Sequence, residues 1–318
     1  MHAELLTKLK ALGEPTRLRI VTLLLRGELT VSEIMQVLGQ SQPRVSRHLK
    51  LLADAGLCER YPEGGWVFYR LARSRVGERL AALLEEMARS DDPEIARDLA
   101  RLNEVRRLRA QTAQKYFEVA AEQWSKIRGL HYSEEAVEAA MLKAAGDRQF
   151  RLHLDVGTGT GRMLEIFASR AEDGMGVDLS REMLTVARSK MSEAGLANRL
   201  VRQADATALP LETGAADLIT VHQVLHYLEH PQRAIAEWAR VLAPGGLLLL
   251  ADFESHAFEE FASEYHHAHL GFSRRDLKAW LEQAGLKAMS VEPLDQGKRE
   301  GRLTVLISVA TKPESSLS

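Results

Sequence analysis

The spacing of apolar residues changes along the 318-residue chain and divides it into three stretches. Helical spacing dominates the first 75 residues, together with two short runs that alternate like strands. Residues 75 to 123 show a helical pattern and many charged side chains. Beyond residue 150, apolar runs alternate with helical stretches, which predicts a parallel α/β sheet covered on both faces.

The first stretch predicts a helix-turn-helix. It contains four helical segments, Leu5–Leu12, Leu18–Leu25, Val31–Leu38 and Gln42–Ala55. Thr30 can cap the third segment, which Gly39 ends, and Ser41 can cap the fourth. The tight turn between the last two segments is typical of a DNA-binding helix pair.

The fourth segment has one apolar and one basic face. Val45, Leu49 and Leu52 recur at helical spacing and predict its buried side. The outer side is left with Gln42, Arg44, Ser46, Arg47 and Lys50. Arginine and glutamine can read base edges, and lysine and serine suit phosphates, so this face has the chemistry of a major-groove reader.

Two alternating runs, Cys58–Tyr61 and Trp66–Leu71, follow the fourth segment and predict a hairpin, here a wing. A small helical domain with a solvated charged face is the alternative. Net charges of about +4, +1 and −7 for residues 1–74, 75–128 and 129–318 favour a front part that meets a polyanion.

These runs resemble a known family of bacterial winged-helix repressors, ArsR/SmtB. The resemblance rests on Ala11–Ile20, Gln42–Leu52 and Gly65–Leu71. It implies a homodimer on a palindromic double-stranded DNA operator, with Arg44, Ser46, Arg47 and Lys50 toward the DNA. Where metal sensors of that family place a cysteine pair, this chain has Thr30-Val31-Ser32-Glu33, so no metal site is expected there.

The charged middle stretch carries two apolar stripes at helical spacing. They are Leu80, Leu83, Leu84 and Met87, and then Leu99, Leu102, Val105 and Leu108. We expect the first stripe to pack in the repressor dimer. The second either bridges to the C-terminal module or packs in an ordinary core. The predicted domains are thus 1–75, 76–128 and 129–318.

A glycine-rich turn follows the first apolar run of the last stretch. Gly157, Gly159 and Gly161 alternate there, and Asp155 stands two residues upstream. Glycine lets the backbone turn tightly and lets a ligand approach closely. The alternating spacing differs from Gly-x-Gly-x-x-Gly of dinucleotide folds, and a carboxylate suits a cationic ligand better than a diphosphate.

Acidic residues also follow the next two predicted strands. Asp178 ends the second and Asp205, next to Ala206, follows the third. Ligands of such sheets lie beyond the carboxyl ends of the strands, so Asp178 can hold ribose hydroxyls and Asp205 can reach an adenine amine. Each acid alone could instead cap a helix.

The same residues resemble the class I S-adenosylmethionine-dependent methyltransferases. The resemblance rests on Asp155–Gly161, Gly176–Ser180, Gln203–Ala206, Asp217–Leu228 and Leu242–Gly246. It implies a Rossmann-like fold with a mostly parallel seven-stranded sheet. It also implies that S-adenosylmethionine or S-adenosylhomocysteine binds at Asp155, Gly157, Thr158, Gly159, Gly161, Asp178, Leu179, Asp205 and Ala206. Tyr116, Phe117 and Trp124 would form a lid, or else an ordinary aromatic stripe.

Several histidines are candidates for chemistry. His222 and His226 follow the fourth strand, where a histidine can accept a proton or only line a pocket. His266 and His269 share a face of any helix there, and with His267 they could bind a metal or lie at the surface.

Composition limits the remaining options. Cys58 is the single cysteine, which excludes an internal disulfide. In the methyltransferase family that this chain resembles, arsenite methylation needs several thiolates, so we do not expect that chemistry here. Apolar runs are too short to span a membrane and the start lacks a signal peptide, so we expect a cytoplasmic protein. Two functions follow: a repressor that senses the bound cofactor, or an active methyltransferase acting on a small organic acceptor with autoregulation. A methyltransferase fold kept only as a dimerising scaffold is a third.

Overall fold

The computed structural model describes residues 2–63, 66–72, 79, 83, 92–109, 133–258, 267–294 and 303–314. The chain divides into two compact units, 1–112 with 192–197, and 113–191 with 198–318. No described helix combines the length and the apolar character that crossing a membrane requires.

The described elements of the first unit are four helices and three strands before residue 73 and one helix over 93–109; residues 79 and 83 are also helical. These elements are α1 His2–Leu12, α2 Pro15–Leu24, β1 Leu29–Thr30, α3 Val31–Leu38, α4 Gln42–Asp54, β2 Cys58–Glu63, β3 Trp66–Leu71 and α5 over 93–109. The strands form one antiparallel sheet in the order β1-β3-β2. The predicted helix-turn-helix and wing are therefore confirmed.

The caps of α3 agree with the prediction and the cap of α4 does not. Thr30 and Glu33 form a reciprocal capping box, and Gly39 ends α3 in the left-handed region with φ 65°. Ser41 makes no side-chain cap bond to α4. A cap accepts from the second or third N–H of its helix, and Pro43 removes one of these donors.

Helix α5 packs in the core of the first unit. Leu102 and Val105 are 1% and 5% exposed and belong to the same buried cluster as Ile34 of α3 and Leu49 of α4. Of the two alternatives for this stripe, these two residues follow core packing. The last member, Leu108, is 41% exposed.

The second unit alternates strands and helices as predicted. Its described elements are α6 Glu134–Ala145, β4 Phe150–Val156, α7 Arg162–Ile166, β5 Ala171–Asp178, α8 Arg181–Glu193, β6 Arg199–Gln203, β7 Ala216–His222, α9 Pro231–Val241, β8 Leu242–Phe253, α10 Arg274–Gln283, β9 Lys287–Pro293 and β10 Val305–Thr311. A short 3-10 helix, Leu225–Tyr227, lies between β7 and α9.

These seven strands form one sheet in the order β6-β5-β4-β7-β8-β10-β9. Strands β4 to β8 are parallel, and β10 runs antiparallel to both of its neighbours. The chain proceeds from β4 to β5 on one side and returns to β7 on the other. Ligands of open α/β sheets bind at such a reversal, beyond the carboxyl ends of the strands.

Candidate functional site

The outer face of α4 is available to a partner. Val45, Leu49 and Leu52 are fully buried, as the apolar spacing predicts. Gln42, Arg44, Arg47 and Lys50 are exposed and Ser46 is half-buried. Among the described residues, the cationic members of this face make no hydrogen bond or ion pair that would neutralise them.

The turn after β4 adopts conformations that favour glycine. Gly157, Gly159 and Gly161 have φ of 67°, 51° and 83°, in the left-handed region. A Cβ on Gly157 would overlap the side chain of Val224, and one on Gly161 would lie 3.3 Å from Ala187 Cβ of α8. A Cβ on Gly159 would meet nothing within 4 Å. The middle glycine therefore faces open space, where a ligand can approach the backbone.

Asp155 lies beneath this turn and is 1% exposed. Its Oδ2 accepts a hydrogen bond from Thr158 Oγ1 at 2.6 Å, and its Oδ1 accepts one from Thr220 Oγ1 at 2.7 Å. Burial raises the pKa of Asp155 to about 7, although the two hydroxyl donors lower it. The carboxyl group thus holds the turn in place from below.

His153 and Gly176 support this arrangement; Gly176 begins one of the runs that carry the resemblance, whereas His153 was not among the sequence candidates. Nε2 of His153 lies 2.7 Å from Thr220 Oγ1, and burial lowers the pKa of this histidine to about 3. Gly176 leaves room for Thr158, because a Cβ there would lie 2.5 Å from Thr158 Oγ1. For His153 the available signal was a polar residue in the middle of the apolar strand β4.

Asp178 holds the turn from its other side. Its Oδ2 accepts from the Gly159 N–H at 2.8 Å and its Oδ1 from the Ser180 N–H at 2.9 Å. Burial raises the pKa of Asp178 above its ordinary value, and the backbone donors oppose this shift. Each carboxylate oxygen has a second lone pair for a ligand hydroxyl. Leu179 beside it is 62% exposed and offers an apolar surface.

Asp205 follows β6 at the same edge of the sheet. It is exposed, and its Oδ1 accepts from both N and Oγ1 of Thr207 at 2.8 Å. Ala206 is buried, and its carbonyl oxygen accepts from Trp238 Nε1 at 3.0 Å. The three acids therefore differ: one is enclosed, one supports the turn, and one is open to solvent.

The two candidate catalytic histidines differ in their surroundings. His222 is half-buried at the end of β7. His226 is 1% exposed, and its Nδ1 lies 2.8 Å from Oδ1 of Asp252 in β8. Oδ2 of the same carboxylate accepts from the Leu225 N–H at 2.8 Å. Asp252 was not among the sequence candidates, although an acid near the end of an apolar strand run was a signal.

Gln223 connects these features. Its φ of 58° is rare for a residue other than glycine, and its N–H donates to Ala251 O at 2.8 Å. The bend that it makes after His222 is followed at once by Val224, whose side chain lies against Gly157. Strained backbone of this kind concentrates at functional sites.

The other candidate residues lie elsewhere. Tyr116, Phe117, Trp124 and His266 fall outside the described residues. Residues 267 to 270 are not helical, so the expected helical face does not extend through His269. In the described part of the chain, no group of three or more histidine, cysteine or acidic residues could hold a metal ion.

The geometry defines the class of protein: a winged helix-turn-helix followed by a Rossmann-like methyltransferase fold. Residues 14–60 match the model of the bacterial regulatory protein arsR family, and residues 154–250 match that of a methyltransferase domain. The arsenical resistance operon repressor of Escherichia coli is 42% identical over 98 residues, 31% of this chain and 83% of that protein. The chain belongs to the arsR family and carries a methyltransferase domain in addition.

The methyltransferase part is similar to enzymes of differing function. The malonyl-[acyl-carrier protein] O-methyltransferase of Geobacter sulfurreducens is 34% identical over 175 residues, 51% of this chain and 64% of that enzyme. This chain spans about half the length of the curated methyltransferases that it matches. The geranyl diphosphate C-methyltransferase of Streptomyces coelicolor, solved with S-adenosyl-L-homocysteine, has a TM-score of 0.50, 15% identity and coverage of 56% and 77%, which shows the fold alone.

Proposed function

We propose that this protein is a transcriptional repressor whose operator affinity depends on S-adenosylmethionine or S-adenosylhomocysteine bound in its methyltransferase fold. The proposal rests on one observation: the same chain contains an exposed basic recognition helix and a hydrogen-bonded glycine turn at Gly159. The operator is double-stranded DNA, read through Gln42, Arg44, Ser46, Arg47 and Lys50.

The residues around the turn fit such a nucleoside. Gly159 faces open space, and Asp178 has lone pairs left for the two ribose hydroxyls. The apolar surface of Leu179 suits a base, and the exposed carboxylate of Asp205 suits its amine. The methionyl part of the ligand would lie along the backbone of the turn, at Gly157, Thr158 and Gly161. Asp155 would support the turn from below.

Helix α5 supports a route by which a bound ligand alters DNA binding. Arg101 Nη1 donates to Val37 O of α3 at 3.0 Å, next to the turn of the helix-turn-helix. Arg109 pairs with Glu33 near the start of α3, and Arg106 donates to Arg26 O. A displacement of α5 would therefore act directly on the helix that precedes the recognition helix.

The apolar face of α1 supports the predicted homodimer. Leu5, Leu6 and Leu9 are 39%, 52% and 47% exposed on this one helix. Exposed apolar patches of this kind mark association surfaces. Sedimentation of the intact chain and of the variants Leu6→Lys and Leu9→Lys tests this homodimer. We expect the wild type to be a dimer and both variants to be monomers. A monomeric wild type would contradict the homodimer.

The decisive experiment measures operator binding with and without each cofactor form. A duplex enriched from a random-sequence library serves as the operator, and its affinity is read by fluorescence anisotropy at fixed salt. We expect S-adenosylmethionine or S-adenosylhomocysteine to change the Kd at least several-fold, while adenosine does not. Equal affinities under all conditions would refute the sensor function.

The His226–Asp252 pair favours a second candidate, methyl transfer to a small organic acceptor. Because Asp252 binds Nδ1, Nε2 is the nitrogen that remains to take the acceptor's proton. The test is formation of S-adenosylhomocysteine by the purified protein with fractionated cell extract. His226→Gln should lower kcat by about 10²-fold or more and leave cofactor affinity unchanged. If no fraction supports formation of S-adenosylhomocysteine, methyl transfer is contradicted and only the sensor function remains.

A further inference from the structure

Aromatic and imidazole rings from three separate segments meet at the carboxyl ends of β7 and β8. They are His226, Tyr227, Phe253, His256 and His267, named here the ring cluster. Apart from His226, which the methyl transfer proposed above uses, these residues have no role in the repressor function or the nucleoside site. The cluster begins two residues after Val224, the residue that lies against Gly157.

The rings of the cluster are in close contact, and those around His226 are tilted against one another by 35° to 45°. His226 is the centre of the cluster, with centroids of His267, Tyr227 and Phe253 at 4.0, 4.2 and 5.0 Å. The rings of Phe253 and His267 are nearly parallel, with an interplanar angle of 13° and a distance of 6.0 Å between their centroids. His256 meets Phe253 edge-on at 6.2 Å. The stacked pair Phe253–His267 and the edge-to-face pair His256–Phe253 are arrangements that aromatic rings prefer, because the face of a ring is negative and its edge is positive.

Burial divides the cluster into a floor and a rim. His226, Phe253 and His267 form the floor and are 1%, 2% and 6% exposed. Tyr227 is 39% exposed and His256 is half-buried, so these two form the rim. A flat molecule could stack on the rim with the floor packed beneath it.

Two rings of the cluster and the acid beside them offer no open charge to a ligand. Burial lowers the pKa of His267 to about 3, with the neighbouring His226 as the next cause, so this ring is neutral. Burial likewise raises the pKa of Tyr227 to about 12, which keeps its hydroxyl protonated. Asp252 is fully buried and accepts from His226 Nδ1 and from two backbone N–H groups.

We propose that the ring cluster binds an uncharged planar aromatic molecule as the methyl acceptor. The proposal rests on the methyl transfer described above and names the chemical class of its substrate. In that transfer a nucleophilic atom of the acceptor bonds to the methyl carbon and the carbon–sulfur bond breaks. Sulfur keeps the electron pair and becomes neutral, and the acceptor's proton passes to His226.

The test uses the full chain and three probes of similar size: 2-naphthol, its saturated counterpart 2-decalol, and 2-naphthoate. Binding is measured by calorimetry after saturation with S-adenosylhomocysteine. We expect 2-naphthol to bind at least tenfold more tightly than either of the other probes. Tyr227→Leu should remove most of this preference, and Met289→Ala, which truncates an exposed side chain on β9, should leave it intact.

The outcomes separate this proposal from the function on which it rests. If the protein binds S-adenosylhomocysteine but binds 2-naphthol and 2-decalol equally well, the proposal of an aromatic acceptor is wrong. The nucleoside site would still be supported. A preference for 2-naphthol that survives Tyr227→Leu would also overturn it, because the rim would then not be the binding surface. Failure of S-adenosylhomocysteine itself to bind would refute the proposed function first.

Discussion

Gly159→Ala separates the folding role of the glycine turn from its binding role. Gly159 has φ 51°, and an alanine held in the left-handed region costs about 1–2 kcal/mol. The added Cβ meets no atom within 4 Å, so no steric term is added. The N–H that donates to Asp178 is retained. We therefore expect a loss of about 1–2 kcal/mol in the free energy of unfolding and an intact fold.

The added methyl group lies where the ligand must approach the backbone. We expect the affinity for S-adenosylmethionine and S-adenosylhomocysteine to fall at least tenfold, about 1.4 kcal/mol, by calorimetry. Gly285→Ala is the matched control: φ is 81°, no atom lies within 4 Å, and the residue follows α10. The control should lose similar stability and bind both compounds normally. Equal binding by the two variants would refute a ligand at this turn.

Three further predictions concern charged residues. Asp98→Ala removes the two hydrogen bonds, 2.6 and 2.7 Å long, that Arg19 donates to buried Asp98 and leaves Arg19 paired with Glu94 alone, so it should cost about 1.5–3 kcal/mol in urea titrations. Arg19→Met with Asp98→Leu should cost less, and the reverse order would contradict this. Between its ordinary pKa and about 7, Asp155 is protonated in the native state but not in the unfolded chain, so its contribution to the free energy of unfolding declines as pH rises through that window. Urea titrations at pH 5 and pH 8 measure this decline, and Asp155→Asn should remove it. An unchanged decline in the variant would assign the effect to other groups. Arg44→Ala should weaken operator binding by about 1–3 kcal/mol at fixed salt, and an unaffected Kd would place the DNA elsewhere.

Local sequence signals predicted the elements well where a single residue determines the backbone. Gly39 ends α3 because glycine adopts the left-handed region at little cost, and Thr30 caps it through its hydroxyl group. The wing was harder to delimit: β2 extends through Pro62 and Glu63, which the sequence assigned to the turn. Proline is tolerated there because β2 is an edge strand and needs no donor on its outer side.

The direction in which site residues point could not be read from the sequence. The pattern places Asp155 and Asp178 at neighbouring strand ends but does not say which faces a ligand. Asp155 turns inward because Thr220, on the adjacent β7, donates to it across the sheet. That pairing depends on the strand order, which joins residues 65 positions apart in the chain. The same holds for His226 and Asp252, which meet through β7 and β8.

Hydrogen bonds from within the protein hold the glycine turn, and this limits how a ligand could act on DNA binding. The Thr158 N–H donates to Val177 O at 2.9 Å, its hydroxyl group donates to Asp155, and the Gly159 N–H donates to Asp178. A turn that is held by three hydrogen bonds loses little conformational entropy when a ligand binds, but its conformation also changes little. A ligand-dependent change must therefore arise in segments outside the turn. Hydrogen exchange should show equal protection of Thr158 and Gly159 with and without S-adenosylhomocysteine, and changed protection in α5. A large gain of protection at the turn alone would show that ordering of the turn accompanies binding.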